Sequence, residues 1–136
     1  MRLVCVLIAT GWAFAQSSDY QGVATTKQLM AGVQKPAMDE LAGMAKAGGP
    51  KTDKDWELAQ RDAAVLAESA QLLLMGSRPL DQDLWIKSSH RLQESATAAA
   101  KAAEVKDLAT WKTSVGSMGG ACRSCHNVHK KPKQQQ

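Results

Sequence analysis

Two cysteines and a histidine near the carboxyl end are the residues of this chain best suited to chemistry. They stand as Cys122-Arg123-Ser124-Cys125-His126. On a helix, positions i, i+3 and i+4 share one face, so both sulfurs and the imidazole point to the same side. The arrangement is C-x-x-C-H, the spacing of covalent haem attachment. Two thiols can add to the two vinyl groups along one porphyrin edge while the adjacent imidazole reaches the iron. At the chain's own cysteine and histidine frequencies, the pattern would arise by chance about once in a thousand such sequences.

Other chemistries for the same residues are weaker. A thioredoxin-type redox pair needs a βαβ context, and the sequence has none. A zinc site would have to gather Cys122, Cys125, His129 and the distant His90, whereas structural zinc sites bring two clustered ligand pairs. A disulfide across two intervening residues of one helix would be strained.

The amino-terminal residues bear on the state of these thiols. Met1-Arg2 gives a short basic start, Leu3 to Phe14 is largely apolar, and Ala13-Phe14-Ala15 is a small-x-small site that predicts cleavage before Gln16. Residues 1–15 thus read as a secretory signal peptide and 16–136 as the mature domain, with a periplasmic or otherwise exported location. Cys5 is removed with the leader. Export to an oxidising compartment would ordinarily pair the two remaining cysteines, so the histidine that follows them directly makes haem the better reading. The apolar run is too short to cross a bilayer and no later segment approaches the length required, so no membrane span is expected.

A length of 136 residues with 44% apolar content allows one compact domain. Leu, Ala, Met, Lys, Glu, Gln and Arg dominate and aromatic residues are only 4%, which favours helices over sheet. A formal charge of +4, evenly spread and without interleaved aromatics, gives no basis for nucleic-acid binding. No paired carboxylates, activated serine or phosphate loop appears at meaningful spacing, so the chain is not expected to be an enzyme.

Breakers at Gly48-Gly49-Pro50, at Gly76-Ser77-Arg78-Pro79 and near Val105-Lys106-Asp107 divide the mature chain into four helices. The first, about 20–47, carries an inner stripe of Val23, Met30, Val33, Ala37, Leu41 and Met44, with a bend at Pro36. The second, about 53–75, is capped by Thr52 and presents Trp56, Ala59, Ala63, Leu66, Ala70 and Leu73, with Leu58, Val65 and Leu72 widening the face. The third, about 81–104, turns Trp85, Ser89, Leu92, Ala96, Ala99 and Ala103 inward. In the fourth, Leu108, Trp111, Val115, Met118, Cys122, Cys125 and His129 follow 3-4 spacing, so the haem face continues the core stripe and predicts a haem inside the bundle. The expected fold is all-α, an antiparallel up-down-up-down four-helix bundle with covalently bound haem.

A carboxy-terminal C-x-x-C-H on the fourth helix of a chain of this length resembles the class II c-type cytochromes, the cytochrome c-prime family. Thr26-Lys27-Gln28-Leu29-Met30 and Met44-Ala45-Lys46-Ala47-Gly48 resemble the family's first helix and the turn after it. One departure lies beyond the ligand histidine, where the family has an aromatic and then a basic residue; here these are His129 and Lys130.

The resemblance implies one haem c, with thioethers from Cys122 and Cys125 and His126 as proximal iron ligand. Low-spin members use a methionine where this chain has Met30. On assumed helix ends, Met30 lies about 14 Å in from the start of helix one and His126 about 8 Å from the end of helix four, levels that agree to within about a turn. Met38 and Met44 are expected farther along and Met118 shares the helix of His126. His90 lies about 140° round helix three from Trp85 and is expected to be exposed. Ligation by His126 and Met30 predicts an electron carrier; a five-coordinate iron predicts the alternative, a cytochrome c-prime-like protein binding small gases such as NO or CO. The expected partners are redox proteins, with a homodimer left open. The Lys130, Lys131 and Lys133 tail can steer acidic partners but reads first as a solvated end.

Overall fold

The structure is a computed structural model describing residues 22–130. The expected signal peptide, residues 1–15, and the tail lysines Lys131 and Lys133 lie outside the described residues. All regular structure among the described residues is helical, with no strand, and no described helix is long and apolar enough to cross a membrane.

Helix α1 runs without interruption over 26–46, as Thr26–Leu29, a π-helical turn at Met30–Gln34, and Lys35–Lys46. It starts at Thr26 because Thr25 caps it: the hydroxyl accepts from the Gln28 N–H, and the Gln28 side chain accepts from the Thr25 N–H. Val23, expected on the inner stripe, therefore precedes the helix and is 97% exposed. The disturbance expected at Pro36 takes the form of the π turn. Proline has no N–H to donate and its ring crowds the carbonyl four residues back; just before it, the Lys35 N–H reaches five residues back to the Met30 carbonyl. The extra residue rotates the buried stripe, so Gln34 is buried where Val33 was expected, and its Nε2 donates to the Ser69 carbonyl at 3.4 Å.

Helix α2, Asp53–Leu72, has the expected Thr52 cap, completed by the Asp55 carboxylate, which accepts from the Lys51 and Thr52 N–H groups. It ends before Met75 because Leu73, Leu74 and Met75 tighten into bonds reaching only three residues back. Ala59, Ala63, Leu66, Ala70 and Leu73 are buried as expected, but Val65 is 42% exposed, so the apolar face is narrower there.

Helix α3, Leu84–Glu104, begins three residues later than expected. The Asp81 carboxylate accepts from the Asp83 and Trp85 N–H groups and so acts ahead of the helix rather than inside it. Helix α4, Leu108–His129, is capped by Asp107, which accepts from Thr110 N–H.

Each helix packs on the next and α4 returns to α1, closing a four-helix bundle. One core cluster gathers Leu41 from α1, Leu66 from α2, Ala96 and Ala99 from α3, and Trp111 and Met118 from α4. Its alanines let neighbouring helices approach closely. Trp111 is fully buried and meets Trp56 edge to face, centroids 6.1 Å apart. The first turn depends on Gly49, at φ 114, where a methyl group would overlap Leu108 Cδ1. A second, smaller cluster of Leu29, Leu73 and Trp85 lies nearer the other end.

Candidate haem-attachment site

Cys122, Cys125 and His126 all lie within α4, in helical backbone that continues to His129. The spacing that suggested a common face is thus carried on an actual helix. Cys122 packs against the main core and Cys125 against the Leu29, Leu73 and Trp85 cluster, so the segment sits where the two apolar clusters meet. The cysteines are not joined to each other and both are half-buried. Burial pushes both thiols above the ordinary range; Arg123 opposes this at Cys122, while Cys122 and Asp81 add to it at Cys125. Burial and then the Lys130 cation hold the His126 imidazole below its usual range; the neutral ring is the form that donates a lone pair to a metal.

The stripe along α4 does not stay buried. Met118 and Ala121 are closed off, Cys122 and Cys125 are half-buried, and His126 is exposed. The middle of the bundle is filled by Leu41, Leu66, Met118 and Trp111, each with no more than traces of exposure. The polypeptide as folded offers the motif near one end, with burial falling from Met118 to His126.

Met30 is half-buried against the same Leu29, Leu73 and Trp85 cluster as Cys125. These two residues, distant in sequence, share one apolar wall. Met38 borders α4 farther from His126, as expected: its Cε lies 3.9 Å from where a Cβ on Gly119 would be, seven residues before the histidine.

The two remaining histidines go elsewhere. His90 is exposed on α3, as expected. His129 is turned to the start of α3: its Nε2 lies 2.8 Å from Asp81 Oδ2, without hydrogen-bond alignment, and its ring meets Trp85 edge-on with centroids 5.4 Å apart. Hydrogen bonds from Trp85 and Asp83 N–H groups, and then the His129 contact, hold the Asp81 carboxyl below the usual carboxylate range. Among the described residues, no three or more of His, Cys, Asp and Glu gather as metal ligands.

The donor set fits a covalently held haem: two unpaired thiols one helical turn apart, an adjacent imidazole with no hydrogen bond to another described residue, and a thioether sulfur beside the same apolar wall. Two features had no signal in the sequence. Arg78 is a guanidinium that is only 8% exposed, placed in what reads as an ordinary turn. Asp81 reads as the first residue of a helix but lies ahead of it, accepts from the Asp83 and Trp85 N–H groups at its start, and meets His129. Comparison with family models, with curated proteins and with solved structures gave no match to this chain.

Proposed function

We propose that this chain is an exported, periplasmic c-type cytochrome that carries electrons, with one haem held by Cys122 and Cys125, His126 as proximal ligand and Met30 as distal ligand. The observation that carries this reading is an intact C-x-x-C-H on one unbroken helix, with Cys125 and Met30 packed on one apolar cluster. An up-down-up-down order for the four helices supports the pairing further. Met38 and Gly119 are neighbours. In antiparallel helices, eight residues back along α1 and eight forward along α4 lead to Met30 and Asn127, both about 12 Å from that contact. Met30 then stands at the level of His126.

The bound group supplies a one-electron iron couple at the bundle end. The chain's own residues attach, orient and shelter it. Cys122 and Cys125 would hold it as thioethers, each thiol adding across a vinyl double bond with its sulfur to one carbon and its proton to the other. Leu29, Leu73 and Trp85 provide a wall that keeps water from one side. Neutral imidazole and thioether ligands stabilise the reduced state relative to anionic ones and so favour a raised potential.

A second reading, a five-coordinate protein binding NO or CO, is favoured by the place of Met30 itself. A methionine that only fills space would also rest half-buried on Leu29, Leu73 and Trp85.

Export of the full chain in a host that attaches haem tests both. Haem retained after denaturation and a low-spin spectrum in both oxidation states, with slow CO binding, supports the electron carrier. A high-spin ferrous form that binds CO freely removes Met30 and favours the gas-binding protein. A colourless product with both thiols open to alkylation overturns haem attachment altogether.

A further inference from the structure

We propose that Arg78 is a positioning residue for the distal side of this site, holding the first turn of α1, and with it Met30, against the bundle end. The part that concerns iron rests on the function proposed above.

The guanidinium is buried and, among the described residues, donates to backbone carbonyls in two different segments. Nη1 donates to the Leu72 carbonyl at 3.0 Å, at the last residue of α2, and Nη2 donates to the Ala24 carbonyl at 2.9 Å, just ahead of the Thr25 cap. Ala24, Leu72 and Met30 all pack on the Leu29, Leu73 and Trp85 cluster, so the bridge joins two of the segments surrounding the methionine. Beside it, residues 22–26 and 75–80 are separated by an open cleft of about 300 Å³, and Arg78 spans it. The α1 turn held in this way is short. Only Thr26–Leu29 precedes the π turn, of which Met30 is the first residue. As the terminal turn of α1 it is where the helix frays first, since its leading N–H groups have no partner within the helix.

An arginine suits the task because its planar fork donates to two carbonyls at once, which a lysine ammonium on a flexible stem does less well. Gly22 completes the arrangement, since a methyl group there would overlap Arg78 Nη2.

The test uses the full holoprotein and the variants Arg78→Lys, Arg78→Gln and Gly22→Ala. The last displaces the guanidinium while keeping it, and stands in if the Arg78 variants fold poorly. Amide hydrogen exchange over residues 24–30 reads the clamp without reference to iron. The rate of CO binding to the ferrous protein reads the position of Met30. Exchange in this segment is expected to rise about tenfold, the scale of one lost charge-assisted hydrogen bond, while α3 and α4 keep wild-type exchange. CO binding is expected to speed up by a similar factor, and Arg78→Gln is expected to add nothing in a Met30→Leu background. Unchanged exchange in all three variants overturns the clamp. Faster exchange with unchanged CO binding overturns its role toward Met30. A wild-type chain that already binds CO freely sinks the Met30 ligand instead, and the clamp is then decided by exchange alone.

Discussion

His129 Nε2 lies 2.8 Å from Asp81 Oδ2, which ties the last turn of α4 to the start of α3. The Trp85 ring, itself 3% exposed, closes the contact from the side. The α4 segment carrying Cys122, Cys125 and His126 is therefore anchored just beyond the imidazole.

Replacing His129 should separate the ring from the Asp81 contact. Loss of an edge-to-face ring contact costs about 0.5–1.5 kcal/mol, so His129→Ala should lower the melting temperature by several degrees. His129→Phe keeps the ring and should recover most of that loss. Equal destabilisation by both variants in thermal melts would show that the ring contact with Trp85 contributes nothing.

Acid should weaken the bundle through its caps. Hydrogen bonds to the Lys51 and Thr52 N–H groups depress the Asp55 carboxyl, and those from Thr110, hydroxyl first and N–H second, depress Asp107. Asp81 is depressed chiefly by the Trp85 N–H. A depressed folded-state value gives stability that is complete above the usual aspartate range near pH 3.9 and is lost as pH falls through the lower folded value. Thermal melts from neutral pH downward should therefore decline mainly below about pH 4. The Asp55→Asn and Asp107→Asn pair should flatten that decline; an unaltered acid slope in the double variant refutes this assignment.

The interior should respond asymmetrically to size. Leu66 is fully buried, so Leu66→Ala should cost about 2–5 kcal/mol. Ala99 is equally enclosed, and Ala99→Leu should cost about 1–3 kcal/mol by forcing helices apart. Chemical denaturation measures both, and a neutral Ala99→Leu would mean that the alanines are not close-packed.

The two cysteines should act independently in holding haem. Acidic organic solvent should leave haem on the wild-type chain, on Cys122→Ser and on Cys125→Ser, and should remove essentially all of it from the double variant. Complete extraction from either single variant would show that only one thioether forms.

Much of the helical framework was legible in the sequence. Glycine and proline marked the turns, Thr52 marked a cap, and residues such as Ala59, Leu66, Trp85, Ala96 and Trp111 declared their inward faces by spacing. Helix ends were less legible, because Thr25 and Asp81 stop or start a helix through hydrogen bonds whose geometry is not encoded in periodicity. The shift from Val33 to Gln34 was hidden for a related reason: one extra residue in a π turn rotates everything on one side of it, and no repeat in the sequence announces that.

For the candidate site, the amino-acid sequence alone determined the chemistry: which sulfurs, which imidazole, and the common face that a helix gives them. Neighbours in one helix have fixed relative positions, so local spacing suffices. Only the tertiary structure decided that Met30 shares a wall with Cys125, that Met38 borders Gly119, that His129 turns to Asp81, and that Arg78 bridges two segments beside them. Those relationships join helices whose offsets depend on how long stripes of unequal residues pack, and packing is a property of the whole fold.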